Sequence, residues 1–208
     1  MVSSPGLAAS RGLNGWLLLG LLSALLLAGC AVAAVLSADA VESARVVIRL
    51  TARTSLVLFL LAFTASSISR LWPSTFAAWL TANRRYLGLA FVVSHGIHAV
   101  AIIALARLDP SLFDELTTIV SFVAGGIGYA IIALMALTSF DRTAAMVGPR
   151  LWRVAHTGGV WFIVAFFIVN FGRRAVIHPE TYWPYMALIV LAIVVRLAAI
   201  PRKQTVPA

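Results

Sequence analysis

Thiols and negative charge are scarce in this sequence. Among 208 residues there is one cysteine, Cys30, and only seven acidic side chains. A lone thiol excludes an internal disulfide and every zinc or iron–sulfur site built from cysteines, since those need two to four thiolates. No Asp or Glu falls inside a long apolar run, so a buried carboxylate cage for a hard metal ion is excluded as well. A strand-linked glycine fingerprint for a dinucleotide is also missing, and the connecting segments are too short to hold a nicotinamide or flavin domain.

Apolar residues are abundant. They make up 62% of the chain, charged residues only 11%, and the mean hydropathy is +0.99. That is more apolar surface than one soluble core of this length hides, and it lies in long uninterrupted runs. The fold class expected is all-α, an integral membrane bundle of six transmembrane helices. A crossing helix needs roughly 20 mostly apolar residues, and the runs at 16–36, 54–69 (extended backward through Val46 and Ile48), 86–106, 116–140, 154–172 and 181–200 supply six. Helices rather than a barrel follow, because the runs lack strict alternation. Pro149 and Pro184 stand near span starts, where a missing N–H costs little. The segment 1–15 and the tail 201–208 flank the transmembrane domain 16–200.

The stretch "LLLAGC" at 25–30 resembles a lipoprotein signal box, but the apolar run continues past Cys30 to Leu36, as a retained span would. The net charge of +9 is a topological signal rather than a nucleic-acid one, because the basic residues cluster between the apolar runs. Of the 16 Lys and Arg, nine fall on one side: Arg11, Arg70, Arg84, Arg85, Arg142, Arg150, Arg153, Arg202 and Lys203. Six fall on the other (Arg45, Arg49, Arg53, Arg107, Arg173, Arg174), and Arg196 late in the sixth span is left over. The richer side is expected to be cytoplasmic, which puts both termini there.

Three of the four histidines lie inside spans: His95 and His98 in "FVVSHGIHAVAII" on the third, His156 on the fifth. His178 stands in a connecting segment and reads as a solvated residue. An imidazole in hydrocarbon must satisfy its ring nitrogens, so intramembrane histidines are functional candidates by default. Three positions along a helix turn by about 300°, so His95 and His98 share a face, and one of them could meet His156 across the bundle. Such imidazoles suit haem iron, a metal such as zinc or copper, or a proton relay. A metal would want further ligands and a relay usually a carboxylate, whereas haem needs two imidazoles and a flat apolar slot. Gly88, Gly96, Gly125, Gly126, Gly128, Gly158 and Gly159 are small residues that either line such a slot or simply pack helices. Arg84, Arg85 and Arg153, at the same ends of the histidine spans, are candidates for haem propionates.

Several segments together, "TARTSLVLFLLAFTASSISRL" at 51–71, "RRYLGL" at 84–89, "ALTSFD" at 136–141 and the Trp152–His156 spacing, resemble the ferric reductase-like transmembrane domain superfamily. The likeness covers roughly residues 45–175 and is greatest to the haem-binding membrane subunit of the bacterial periplasmic methionine sulfoxide reductase system. The resemblance implies b-type haem and electron transfer in a bacterial-type plasma membrane; with no nicotinamide or flavin domain expected, the cytoplasmic-side donor is quinol or a separate flavin reductase, and the outer-side acceptor is a soluble redox partner, ferric iron or oxygen. It puts the family's third-span ligand on His98, makes His95 an extra, and leaves Val169 where relatives carry a second fifth-span histidine. One haem per chain is therefore expected, with His95 or His98 paired to His156, and a quinone or flavin near Trp161 and Asn170 as a further cofactor candidate. Counted from the helix starts at about 1.5 Å per residue, His95 lies ~16 Å deep, His98 ~21 Å and His156 ~10 Å, so depth favours His95 as the partner of His156. The rival reading is a non-redox transporter or scaffold subunit with structural histidines.

Overall fold

A computed structural model describes residues 13–200. The arginines at 11 and 202, Lys203 and the tail 201–208 lie outside the described residues, as does most of the segment 1–15. The described chain is a succession of helices: α1 Gly15–Val35, α2 Ala40–Leu71, α3 Thr75–Ala82, α4 Arg84–Leu108, α5 Pro110–Leu116, α6 Ile119–Leu137, α7 Asp141–Val147, α8 Pro149–Ile177 and α9 Pro179–Ala198. Six of them, α1, α2, α4, α6, α8 and α9, are long and apolar enough to cross a membrane. No strand occurs among the described residues.

The second span begins earlier than its apolar run. Asp39 caps α2 by accepting the Glu42 N–H at 2.8 Å, which satisfies one of the helix's orphan donors. Glu42 then pairs with Arg45 and Arg49 along the same helix, so the polar first turns are helical by capping and ion pairing rather than by hydropathy. Pro149 opens α8 as expected. Pro184 instead lies inside α9, which starts at Pro179. At that position the ring leaves the carbonyl of Glu180, four residues back, without its helical N–H.

The bundle is organised around α2, which packs along α4 and also against α1, α3 and α9. Its buried face carries Leu56, Phe59, Leu60 and Phe63, continued on α4 by Phe91 and on α8 by Val160, Ile163, Val164 and Phe167. Rings step through this core, with Phe59 5.4 Å from Phe91 and 5.6 Å from Phe167. By contrast α6 is the most loosely held of the later spans, leaning on α8 and only lightly on α4. Asn83, 1% exposed, ties the first span in place: its Oδ1 accepts from the Gly15 N–H and its Nδ2 donates to Asn14 Oδ1. Cys30 sits buried within an unbroken α1.

Candidate functional site

The third span brings His95 and His98 together as expected. Their rings stack at 5.1 Å and 19°, between Phe91 and Tyr129, whose rings lie 5.4 and 5.0 Å from that of His95. Both imidazoles turn Nδ1 toward α2. His98 Nδ1 lies 3.1 Å from the Ile48 carbonyl and 3.0 Å from Thr51 Oγ1, and His95 Nδ1 lies 3.3 Å from Ser55 Oγ. The reason is a hydroxyl seam between α2 and α4, in which Thr51, Ser55 and Ser94 are completely buried. Buried hydroxyls need partners, and the two helices supply them to one another. Neither Nε2 atom hydrogen-bonds to a described residue, and the Tyr129 hydroxyl is buried with no partner among them.

His156 stands elsewhere. Its ring stacks on Trp152 at 4.3 Å, and Nε2 lies 2.9 Å from Thr138 Oγ1 at the end of α6. It lines a cavity of about 110 Å³ between α2, α4, α6 and α8, together with Phe59, Phe63, Arg84, Gly88 and Val160. A Cβ on Gly88 would meet nothing within 4 Å, whereas one on Gly159 would meet Met135 Sδ at 2.7 Å and Ile131 at 2.9 Å. Gly88 thus leaves open space, and Gly159 is where α6 and α8 pack closely.

The structure does not bring His156 face to face with an α4 histidine. The His95 ring is level with Tyr129 on α6, while His156 meets Thr138 on the same helix. Nine positions of α6 separate those two contacts, about 13 Å at 1.5 Å per residue. The α8 residue beside His95 is Phe167, at 6.5 Å between rings, and it stands eleven positions from His156, about 16 Å. Two imidazoles on one iron must both reach a single atom, so these histidines occupy two separate levels.

The three arginines also part company. Arg84 lines the cavity and donates to Ser66 Oγ. Arg85 turns to Asp141 at 3.5 Å and covers the Phe140 ring, and Arg153 is exposed. Val169 is exposed, Trp161 stacks edge-on to Phe63, and Asn170 donates to its own helix at the Phe166 carbonyl. Arg53 and Arg174, which sequence reasoning used only for topology, converge on the Tyr182 ring within 6 Å.

As a donor set for haem these residues fit in kind. Each level offers imidazole beside aromatic and aliphatic walls, both Nε2 atoms of the α4 pair lack partners among the described residues, and Arg84 stands beside His156 for a carboxylate. A macrocycle at the His156 level needs more room than the present cavity, and the wall with least packing to lose is α6. Among the described residues no three His, Cys, Asp or Glu side chains converge as a metal site.

A family model described as the ferric reductase like transmembrane component matches residues 49–167, more than half of the chain. The chain belongs to that family. The match begins in α2, ends in α8 and includes His95, His98 and His156, and membership points to electron transfer in the membrane. No curated protein and no solved structure matches the chain.

Proposed function

We propose that this protein carries electrons through the membrane on b-type haem, with His98 or His95 as iron ligand at one level and His156 at the other. The observation that carries the reading is the placement of intramembrane imidazoles on two levels inside the family segment, with no cluster of three or more His, Cys, Asp or Glu side chains among the described residues. When bound, the iron supplies the one-electron chemistry. The chain's part is to bind and orient: α2 holds the α4 rings, Arg84 offers a cation for a propionate, and the Phe59, Phe63, Phe91 and Phe167 rings keep water out. This revises the expectation of one haem shared between α4 and His156 to one haem at each level, with one imidazole per iron and the other axial position taken by a non-histidine ligand or left open. The donor is quinol or a separate flavin reductase on the side of both termini, taken as cytoplasmic, and the acceptor is a redox partner on the outer side of a bacterial-type plasma membrane. A quinone or flavin stays a candidate second cofactor.

Purified protein from haem-replete cells is expected to be red and to give a reduced-minus-oxidised difference spectrum of b-type haem. A colourless preparation sinks the reading. It would favour the non-redox alternative, for which the hydrogen bonds of all three histidines to hydroxyl groups speak.

A further inference from the structure

The α2–α4 seam contains several hydroxyls, and the direction of their protons can be followed, because each hydroxyl has one hydrogen to donate and a carbonyl can only accept. Thr51 Oγ1 is 2.6 Å from the Val47 carbonyl, so its proton is engaged there. Toward His98 it can then only accept. The Ile48 carbonyl, 3.1 Å from His98 Nδ1, demands the same. Ser94 Oγ donates to the Thr51 carbonyl at 3.2 Å and accepts from Ser55 Oγ at 2.8 Å. Ser55, having given its proton to Ser94, can only accept from His95 Nδ1.

We infer that Thr51, Ser55 and Ser94 are positioning residues that lock both α4 imidazoles in the Nδ1–H tautomer and so present two Nε2 lone pairs for iron. The inference rests on the reading that an α4 histidine holds haem. His95 and His98 are not held equally: His98 has two acceptors at Nδ1, one of them backbone, whereas His95 has Ser55 alone. A second observation marks the same place as one prepared for a ligand. The Tyr129 hydroxyl is buried without a partner among the described residues in the span that faces His95, and an unpaired buried hydroxyl is costly enough to call for an explanation. A hydrogen bond donated from Nδ1 also makes the ring a more basic ligand and favours the oxidised iron it binds.

Nitrogen-15 histidine solid-state NMR on the haem-depleted full chain in bilayers reads the tautomers directly, because no iron then fixes the proton on the ring that would bind it. In the parent protein both α4 rings are expected as Nδ1–H. Ser55→Ala is expected to release His95 into a mixture of tautomers while His98 stays locked. Thr51→Val is expected to keep the His98 tautomer through the Ile48 carbonyl but to shift the midpoint potential of the bound haem upward, and Thr51→Ser to return it. An Nε2–H form of His95 in the parent, or a Ser55→Ala spectrum identical to it, overturns the lock. An unchanged potential in Thr51→Val overturns its influence on iron. A colourless protein in which both rings are nevertheless Nδ1–H refutes the haem reading and leaves the lock standing, so the two failures are told apart.

Discussion

The His95–His98 pair and His156 are all imidazoles within spans of one bundle, yet they are held in opposite ways. The pair leans on the most extensive helix contact among the described residues, where Thr51, Ser55 and Ser94 are inaccessible to solvent and hold Nδ1. His156 is held at the C-terminal end of the least packed of the later spans, by Thr138, the residue that caps α6. The proton logic reverses too. Thr138 Oγ1 lies 2.7 Å from the Leu134 carbonyl and donates there, so it accepts from His156 Nε2–H. The α4 rings therefore offer Nε2 without rearrangement, whereas His156 must give up a hydrogen bond before that nitrogen can bind iron. One level is preorganised by buried hydroxyls, and the other is adjustable through a helix end.

The largest effect that can break this comparison is on haem content. If the levels are independent, pyridine haemochrome analysis against amino-acid analysis should give a ratio near two for the parent, with His156→Ala and the double variant His95→Ala/His98→Ala each losing about half and a different half by spectrum. A parent ratio near one, with complete loss in both variants, would restore a single iron shared between α4 and α8 and refute the separation of about 13 Å.

Next in size is the consequence of forcing α6 away from α8. Gly159→Val places atoms where Met135 and Ile131 already stand, and overpacking of this kind typically costs ~1–3 kcal/mol. Because that contact supports the cavity around His156 and not the α2–α4 seam, thermal stability should fall and haem should be lost from the His156 level first. Gly88→Ala is the control, since its Cβ meets nothing within 4 Å, and should leave stability within ~0.5 kcal/mol or raise it slightly through helix propensity. Equal loss of both haems in Gly159→Val would mean that the levels are mechanically one site.

Much of this architecture was legible in the sequence, and the exceptions have physical causes. Six spans follow from run length, because hydrocarbon forces long apolar helices. The early start of α2 did not, since Arg45, Arg49 and Arg53 lower its hydropathy while Asp39 and Glu42 stabilise it locally. The short helices α3, α5 and α7 are too brief to show a period. In the structure Ser74 and Asp109 cap the first two by accepting backbone N–H groups. The histidine levels were misjudged because depth was counted from each helix start as though the starts were coplanar. Arg84, the first residue of α4, lines the same cavity as His156, the eighth of α8, so the two starts are offset by roughly two turns. The hydroxyl seam was within reach: Thr51, Ser55 and Ser94 are the polar residues of otherwise apolar faces. What no sequence could show is which way each hydroxyl points.

The smallest expected effect tests that last point at the adjustable level. In Thr138→Val the shape of the side chain is kept, and its backbone carbonyl still accepts from Trp152 Nε1 at 2.8 Å, so the stacked Trp152–His156 pair should stay in place. Only the hydroxyl is lost, and with it the bond that His156 Nε2 must surrender to bind iron. A neutral hydrogen bond is worth about 0.5–1.5 kcal/mol net, so haem affinity at the His156 level should rise roughly 2- to 12-fold in a titration of haem-depleted protein. Affinity at the α4 level should not change. Removal of the corresponding hydroxyl there, in Thr51→Val, should do nothing of the kind, because Thr51 is bonded to Nδ1 and leaves Nε2 untouched. Weaker binding in Thr138→Val would show that the hydroxyl orients His156 for iron instead of competing with it, and the contrast between an adjustable and a preorganised level would fall with it.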